Sequence, residues 1–324
     1  MRNAALLGAL FLVACDGSPA TDAGVASDAG SDAGAPFDAG PPDAGAPVLD
    51  PALFDCTAPG VPDRASPRTL HCGLDPACTE RLVSAHRGAG APGIIAPEDT
   101  LSGIRAAIAV GADMTECDAR ASSDGTIVLM HDGTVDRTTT GTGNVSDLTL
   151  AELQALTIRS DAFFGDYGCE QVPTLADAIA TAAGRITLIV EPKTDRIDLV
   201  VQTILDAGAL DGVILDVSPE DAETALAIDP GVHFFIRPAT PDEVAPLLAR
   251  FTATPPSYVH IGGSMDPVFI AAAHDAGQRV FVLGFGADIN AELTGSVQPY
   301  VDLWDLGIQI LQTNRPDRAV AALE

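Results

Sequence analysis

Lysine and aromatic side chains are scarce in this sequence. Lys193 is the only lysine among 324 residues, aromatic residues make up 5% of the chain, and there is one tryptophan. The remaining basic side chains are arginines, which favour bidentate partners, whereas lysine is a compact point charge. A lysine retained against this background marks its surroundings as a candidate functional site.

Basic charge is also in short supply. The chain has 17 lysines and arginines against 45 aspartates and glutamates, which gives a formal net charge of −28. Nucleic-acid binding requires a basic surface, and anionic lipid surfaces attract basic segments. The composition therefore argues against both partners, and any anionic ligand would be repelled unless local cations offset the overall charge.

The apolar stretch at the N-terminus is short. Residues 4–14 follow Met1-Arg2 and are too few to span a bilayer, so we predict a secretory signal peptide at residues 1–14. The motif Leu12-Val13-Ala14-Cys15 resembles a bacterial lipobox, in which Cys15 carries the lipid. The prediction is an exported protein that is lipid-anchored to a bacterial cell-envelope membrane, on the periplasmic or cell-surface side, and contacts the membrane through this anchor only.

Residues 15–50 repeat Asp-Ala-Gly five times and contain almost no large apolar side chains. Such a segment buries too little surface to offset its chain entropy, so we predict a disordered tether. At about 5–6 Å × √n, the tether would hold the folded part roughly 30–35 Å from the membrane. No protein partner is inferred from the sequence.

Five cysteines follow the lipobox, and an exported compartment permits disulfides. Cys56, Cys72 and Cys78 cluster in the N-terminal segment 51–80, which they could staple. The odd number leaves at least one thiol unpaired within the chain. The spacings do not resemble those of a zinc site.

Short apolar runs alternate with alanine-rich helical patterns from residue 81 onward. We predict strands at residues 81–85, 113–117, 185–190, 213–217, 233–236, 258–261, 279–283 and 308–311. This α/β alternation over about 240 residues is typical of a (β/α)8 TIM barrel, which we assign to residues 81–324. A doubly wound open sheet is the alternative, but Gly88-Ala89-Gly90 matches its phosphate-binding motif poorly.

One interval breaks the rhythm of the predicted barrel. Residues 120–170, between the second and third strands, are too many for a simple crossover, so we predict a small insertion there. It contains a hairpin-like stretch at 126–131 and a short helix at 149–156. Insertions of this kind on barrels often form part of the site or cover it.

Polar side chains follow two of these strands in pairs. Glu116 and Asp118 stand two residues apart at the end of the second strand, as do Glu191 and Lys193 at the end of the third, so each pair shares one face. Because barrel strands end at one mouth, the three carboxylates are predicted to converge on a hard divalent cation, Ca²⁺ or Mg²⁺. The alternatives are a solvated acidic surface and a surface ion pair.

Two histidines lie near the same strand ends. His86 follows the first strand, and His131 ends the strand-like stretch of the insertion. Hydrolysis of a phosphodiester needs a proton acceptor and a proton donor, which two imidazoles can supply. A lone histidine at a strand end is more often a structural residue, and we place His233, His260 and His274 in that class.

A series of short motifs runs in order across residues 83–193. They are His86-Arg87-Gly88, Pro97-Glu98-Asp99-Thr100, Gly111-Ala112-Asp113, Glu116-Cys117-Asp118, Asp124-Gly125, His131-Asp132, Asp136-Arg137-Thr138-Thr139, Gly141, Gly143, Thr149, Glu152-Leu153, Val172-Pro173-Thr174-Leu175 and Glu191-Pro192-Lys193. In residue type and spacing they resemble the glycerophosphodiester phosphodiesterase family, here in a bacterial lipoprotein form. The C-terminal half matches more weakly, chiefly at Thr313-Asn314-Arg315-Pro316.

The resemblance implies a barrel with a small insertion and a role for each polar side chain. It implies a cation held by Glu116, Asp118 and Glu191, and acid–base catalysis by His86 and His131. The reaction it implies is hydrolysis of a small-molecule glycerophosphodiester to glycerol phosphate and an alcohol. The attacking group is either water or a glycerol hydroxyl that first closes a cyclic phosphate.

The same resemblance implies that Arg87 and Lys193 bind the phosphate oxygens, with Glu98 supporting them from behind. One alternative within the fold is a lipid phosphodiesterase of the sphingomyelinase D or lysophospholipase D type. A second alternative, of another class, is a non-catalytic lipoprotein that binds a phosphorylated ligand.

Three positions depart from the family pattern. Asp99 replaces an asparagine and adds a charge beside Glu98, Asn314 replaces an aspartate, and Leu283-Gly284-Phe285 stands where a tryptophan is common. None of these changes removes a proposed cation ligand or histidine. Loss of an aromatic wall is expected to change which alcohol group fits, since aromatic faces hold quaternary ammonium groups.

Overall fold

The computed structural model describes residues 49–90 and 95–324. The predicted signal peptide, the lipidation site Cys15 and tether residues 15–48 lie outside the described residues. Strands β1 to β9 are Leu82–Ala85, Met114–Ala121, Ile127–Leu129, Thr187–Pro192, Val213–Asp216, His233–Phe235, Val259–His260, Val280–Leu283 and Ile310–Thr313. Helices α1 to α10 are Leu101–Ala109, Leu150–Gln154, Leu175–Ala182, Ile197–Asp206, Pro219–Ile228, Val244–Arg250, Pro267–Asp275, Phe285–Thr294, Gln298–Asp305 and Pro316–Ala321. Among these helices, none has the length and apolar character needed to cross a membrane.

Eight of the strands are parallel and form a barrel. Their order is β6-β5-β4-β2-β1-β9-β8-β7, with β3 antiparallel to β2 beside this path. The two end strands are joined by a parallel bridge between Ile236 and Val259, and the His260 N–H donates to the Ile236 carbonyl over 2.9 Å. Because this contact joins the edges, the predicted TIM barrel is confirmed and the open-sheet alternative is wrong.

The barrel interior is filled by a ring of large apolar side chains. Seven of the eight barrel strands each contribute one member, and Tyr258 comes from just before the remaining strand, β7. The members are Leu82, Met114, Ile189, Ile214, Phe235, Tyr258, Phe281 and Ile310. All eight are fully buried, as expected for the packed interior of this fold. Alternation along each strand then sets which residues reach the mouth, because side chains two residues further on point to the same side.

The N-terminal segment closes the bottom of the barrel, at the N-terminal ends of its strands. Arg68 Nε donates to both carboxylate oxygens of Asp113, just before β2, over 2.7 and 2.8 Å. Arg279, just before β8, donates to the carbonyl of Cys72, and Cys72 is itself buried against the interior ring. Residues 64–78 therefore act as a plug that the periodicity of the sequence did not predict.

Two disulfides are present in the described part of the chain. Cys72 pairs with Cys78 inside the N-terminal segment, whereas Cys56 pairs with Cys169 in the insertion. Stapling within the segment is therefore confirmed for one pair and wrong for Cys56. Backbone hydrogen bonding explains the difference, because the Cys56 N–H donates to the Asp166 carbonyl over 2.7 Å and aligns the two segments. Among the cysteines that the structure describes, the unpaired thiol is Cys117, which is buried.

The insertion has its own small core beside the barrel. Strand β3 lies within the predicted hairpin-like stretch, and α2 lies within the predicted helix. Thr149 caps α2 by accepting from the Glu152 N–H while Glu152 accepts from the Thr149 N–H, a reciprocal arrangement that satisfies two free helix donors. The core side chains are Val128, Met130, Val135, Val145, Leu153, Ile158 and Val172.

Candidate active site

Three carboxylates meet at the mouth of the barrel. Glu116 and Asp118 extend from β2 and Glu191 from the adjacent β4, where Asp118 and Glu191 are direct partners in register. One oxygen of each lies within 4.8 Å of the others. Glu116 Oε1 and Asp118 Oδ2 are buried and have no hydrogen-bond partner among the described residues. The convergence predicted from the spacing is confirmed.

The electrostatics of this acidic trio suit a bound cation. Burial, and then the neighbouring carboxylates, raise the pKa of Glu116 well above its ordinary value. Burial and then Glu191 raise the pKa of Asp118. Buried carboxylates with unpaired oxygens are unfavourable unless a cation sits between them. An all-oxygen donor set of this kind suits a hard cation such as Ca²⁺ or Mg²⁺.

Lys193 and Arg87 flank the acidic trio. The Lys193 ammonium donates to Glu191 and lies 3.5 Å from Asp118 Oδ1. Arg87 Nε lies 3.5 Å from Asp118 Oδ2, and its Nη1 donates to Glu98 Oε1 over 3.1 Å. Glu98 therefore stands behind Arg87, in the supporting position expected for it. Both cations lie beside the carboxylates of the trio.

One ring nitrogen of His86 is hydrogen-bonded, and the other faces Glu116. Its Nδ1 pairs with Asn314 Oδ1 at 2.7 Å, and its Nε2 lies 3.8 Å from Glu116 Oε2. Since an amide oxygen only accepts, Nδ1 carries the proton and Nε2 has the lone pair. Burial, and then the charge of Arg87, lower the pKa of His86 to about 4. The ring packs against Phe285 with 4.8 Å between centroids.

His131 is brought to the mouth from the insertion. Its Nδ1 pairs with Asp132 Oδ1 at 2.7 Å, so a carboxylate rather than an amide orients this imidazole. Hydrogen bonds from Arg137 and His131 outweigh burial and lower the pKa of Asp132 to about 2. Arg120 donates to the backbone carbonyls of both His131 and Lys193. Arg120 therefore fixes the backbones of His131 and Lys193 relative to each other, although 62 residues separate them in the chain.

Backbone strain is concentrated beside these groups. Arg87 and Asp99 have φ values of 51° and 52°, and Gly88 has 76°. A β-carbon at Gly88 would lie 2.8 Å from the backbone of Gly103, so glycine is required there. Strained conformations of this kind are costly and cluster at functional sites.

Asp99 is buried beside Asp118. Its Oδ1 accepts the Asp118 N–H over 3.1 Å. Burial and then the charge of Asp118 raise its pKa well above the ordinary value. The side chain therefore holds the backbone of β2 at Asp118.

Several groups at the site were not identified from the sequence. Arg120 is one, and Arg237 is another: it follows β6 and contacts Glu191 from the side opposite to Lys193. Phe285 supplies an aromatic ring against His86, so the expected loss of an aromatic wall is only partial. Arg120 follows Asp118 by two residues in β2, so the alternation that paired Glu116 with Asp118 could have identified it. Phe285 was noted only as part of a departure from the family pattern, and Arg237 has no comparable signal in the sequence.

This combination of barrel and site defines a class of protein. Oxygen ligands for a hard cation, two imidazoles and two flanking cations at the C-terminal ends of barrel strands are the groups that act on phosphate esters. The comparisons show which family within this class the chain is similar to. Residues 86–206 match the model of the glycerophosphoryl diester phosphodiesterase family, and this segment includes every proposed site residue from His86 to Lys193.

Relatives and solved structures agree with this assignment. Glycerophosphodiester phosphodiesterase 1 of Homo sapiens is 45% identical over 97 residues, which are 30% of this chain and 28% of that protein. A glycerophosphodiester phosphodiesterase of Caldanaerobacter subterraneus is 31% identical over 157 residues, which are 48% of this chain and 60% of that protein. The matched segments therefore span less than two thirds of either relative. A glycerophosphoryl diester phosphodiesterase structure from Parabacteroides distasonis has a TM-score of 0.66 at 25% identity, over 78% of this chain and 90% of its own.

Proposed function

We propose that this protein is a cation-dependent hydrolase that converts glycerophosphodiesters into glycerol phosphate and an alcohol. The observation that carries the proposal is the meeting of Glu116, Asp118 and Glu191 within 4.8 Å. Lys193 and Arg87 lie directly beside these carboxylates. The family whose model matches residues 86–206 and the names of the similar proteins support the same substrate class.

The acidic trio would hold Ca²⁺ or Mg²⁺, which when bound polarises a phosphoryl oxygen or coordinates the glycerol hydroxyls. Arg87 and Lys193 would bind the nonbridging phosphate oxygens and stabilise the negative charge that builds on them. Glu98 keeps the Arg87 guanidinium in place through its 3.1 Å hydrogen bond. Arg87 and Lys193 together also offset the repulsion that the overall charge of −28 would exert on a phosphodiester.

The two imidazoles have different partners and therefore suit different proton transfers. In each ring Nδ1 is occupied, by Asn314 in His86 and by Asp132 in His131, so Nε2 faces the substrate. The Asp132 carboxylate stabilises a positively charged ring, so His131 suits donation of a proton to the leaving alkoxide. His86 has an uncharged partner and suits acceptance of the proton from the attacking oxygen. Hydrolysis in ¹⁸O-labelled water, with a search for a cyclic phosphate, distinguishes water from a glycerol hydroxyl as nucleophile.

The decisive experiment measures glycerol phosphate released from glycerophosphoinositol and glycerophosphocholine, with and without chelator. We expect the chelator to abolish activity and His131→Ala to lower kcat by about 10²–10⁴-fold. The matched control is His274→Ala, because His274 is exposed and, in the described part of the chain, its side chain hydrogen-bonds only with Gln309. A rate unaffected by chelation would refute the role of the cation. Binding without any turnover would favour a ligand-binding protein instead.

We also propose that the protein is exported and anchored through lipid on Cys15. The lipobox-like motif carries this proposal, and the Cys56–Cys169 and Cys72–Cys78 disulfides agree with an oxidising compartment. Fractionation of cells that express the full chain tests it. The protein should move from the membrane to the soluble fraction when Cys15 is replaced by alanine, and an unchanged distribution would refute the anchor.

A further inference from the structure

Arg237 lies at the mouth of the barrel but outside the residues 86–206 that match the family model. It follows β6 and stands two residues after Phe235, which is part of the buried interior ring. Because alternate residues of an extended strand share a face, Arg237 continues the interior face of β6 upward into the mouth. It therefore belongs to the same layer of side chains as Glu191 on β4.

The contacts of Arg237 orient it without using up its donors. Its Nη2 donates to Asp216, a buried residue at the end of the neighbouring β5, and lies 3.5 Å from Glu191 Oε2. Asp216 is the only described residue that accepts a hydrogen bond from the guanidinium. The side chain is 44% exposed, and a guanidinium has five N–H donors in a planar fork. Donors therefore remain for a ligand in the mouth.

Arg237 and the proposed phosphate-binding cations lie on different sides of the mouth. The strand order places Arg87 after β1 and Lys193 after β4, whereas Arg237 follows β6, two strands beyond β4. At about 4.8 Å per strand, the backbone of β6 is roughly 10 Å from that of β4, and the guanidinium reaches back from there to the far oxygen of Glu191. A diester whose phosphate lies at Arg87 and Lys193 would extend one of its two ester groups over β5 and β6.

The two sides of the mouth differ in how much room they leave. At β1 the ring of His86 is packed against Phe285 and hydrogen-bonded to Asn314, which closes that side. At β6 Arg237 is half exposed to solvent. The open side can hold a group of variable size, so it suits the head group rather than the invariant glycerol.

The chemistry of the open side disfavours a cationic head group. Quaternary ammonium groups bind to free aromatic faces, but the Arg237 guanidinium already lies over Phe235, 6.0 Å from its ring centroid. A choline group there would meet a like charge. An oxygen-rich head group would instead find N–H donors in a fixed fork.

We propose that Arg237 is a specificity-determining residue that selects oxygen-rich, non-cationic head groups, such as polyols, over quaternary ammonium head groups. This inference rests on the proposed function, because it assigns the substrate preference of the same site. Arg237 binds the head group of the alcohol that leaves, and Asp216 holds the guanidinium in position.

The test compares kcat/KM for glycerophosphoinositol and glycerophosphocholine in the wild type and in Arg237→Gln. We expect the inositol-to-choline ratio to fall by about 10-fold, the effect of losing one charge-assisted hydrogen bond. The matched control is Arg81→Gln. Arg81 precedes β1 at the opposite end of the barrel, is 45% exposed and pairs with Asp305, and its loss should leave the ratio unchanged.

In Arg237→Gln the buried Asp216 loses its partner, which could destabilise the fold. A second variant controls for this effect. Combining Arg237→Gln with Asp216→Asn neutralises both partners, and the ratio should fall as it does in the single variant. If both substrates lose activity equally, Arg237 is merely structural and the inference is wrong. If the wild type releases glycerol phosphate from neither substrate, the proposed function fails and this inference fails with it. Hydrolysis of both with an unchanged ratio refutes the inference alone.

Discussion

The acidic trio should make the stability of the protein depend on divalent cations. Glu116 and Asp118 are only 2% and 1% exposed, and each has an unpartnered carboxylate oxygen. In chelator these like charges repel each other inside the protein, whereas a bound cation would offset them. Glu116→Gln removes one charge and keeps an amide oxygen that can accept the Arg87 N–H, now 3.0 Å from Glu116 Oε2. We therefore expect Glu116→Gln to be more stable than the wild type in chelator and to lose the stabilisation that a cation gives the wild type.

The distances set the size of the effect. At 4.8 Å, two unit charges repel by about 3.5 kcal/mol at an effective dielectric constant of about 20. Glu116→Gln removes two of the three pairwise repulsions, although Arg87 and Lys193 already offset part of them. We expect the chelated variant to be about 1–3 kcal/mol more stable than the chelated wild type. In the wild type, a cation at about 100 times its Kd should add about 2.7 kcal/mol.

Thermal unfolding in chelator, Ca²⁺ and Mg²⁺ measures both effects. For a chain of this size 1 kcal/mol corresponds to about 2–4 °C, so at least one cation should raise the wild-type Tm by about 5–10 °C. That shift should largely disappear in Glu116→Gln. Asp113→Asn is the control, because Asp113 is also buried but pairs with Arg68 at the other end of the barrel. It should lower Tm and keep the cation shift. An equal shift in Glu116→Gln and the wild type would refute the assignment of the trio.

Three further predictions concern stability away from the cation. Cys169→Ser should lower the free energy of unfolding by more than Cys78→Ser, about 5 against about 2 kcal/mol by chain entropy, because the bridges span 113 and 6 residues; equal losses in chemical denaturation would contradict this. Gly88→Ala should cost about 1–3 kcal/mol, whereas Gly286→Ala, which has no atom within 4 Å of the new β-carbon, should not; similar Tm values would count against strain at the site. His260 is buried with both ring nitrogens unpartnered among the described residues, so His260→Leu should raise stability by about 1 kcal/mol. Burial holds the His260 pKa well below its ordinary value, so the wild type loses stability as pH falls below about 6.5; an identical loss in the variant would show that His260 is not its source.

Much of the architecture follows from local sequence patterns. Each predicted barrel strand overlaps an observed one, because buried parallel strands appear as short apolar runs bounded by helical patterns. The i and i+2 spacing of Glu116 and Asp118 was enough to place both on one face. Glu191 and Lys193 follow the same rule. These predictions succeed because strand alternation and the common direction of barrel strands need no knowledge of distant contacts.

Contacts between distant segments were decided by the tertiary structure alone. Nothing in the spacing of the cysteines shows that Cys56 pairs with Cys169, because that pairing depends on a backbone alignment across 113 residues. The plug at the bottom of the barrel likewise depends on the meeting of Arg68 with Asp113.

The sequence by itself determined the barrel, the acidic trio and the two candidate histidines, because each depends on the periodicity of a single strand or on a short motif. Only the tertiary structure decided which isolated side chains join them. Arg237 carries no local signal, and both it and Phe285 reach the mouth because closure of the sheet brings β6 and β8 around to face β1 and β4. Burial in that closed mouth also raises the pKa of Asp99 well above its ordinary value, since the charged form of a carboxyl group is disfavoured when it is taken out of water beside Asp118.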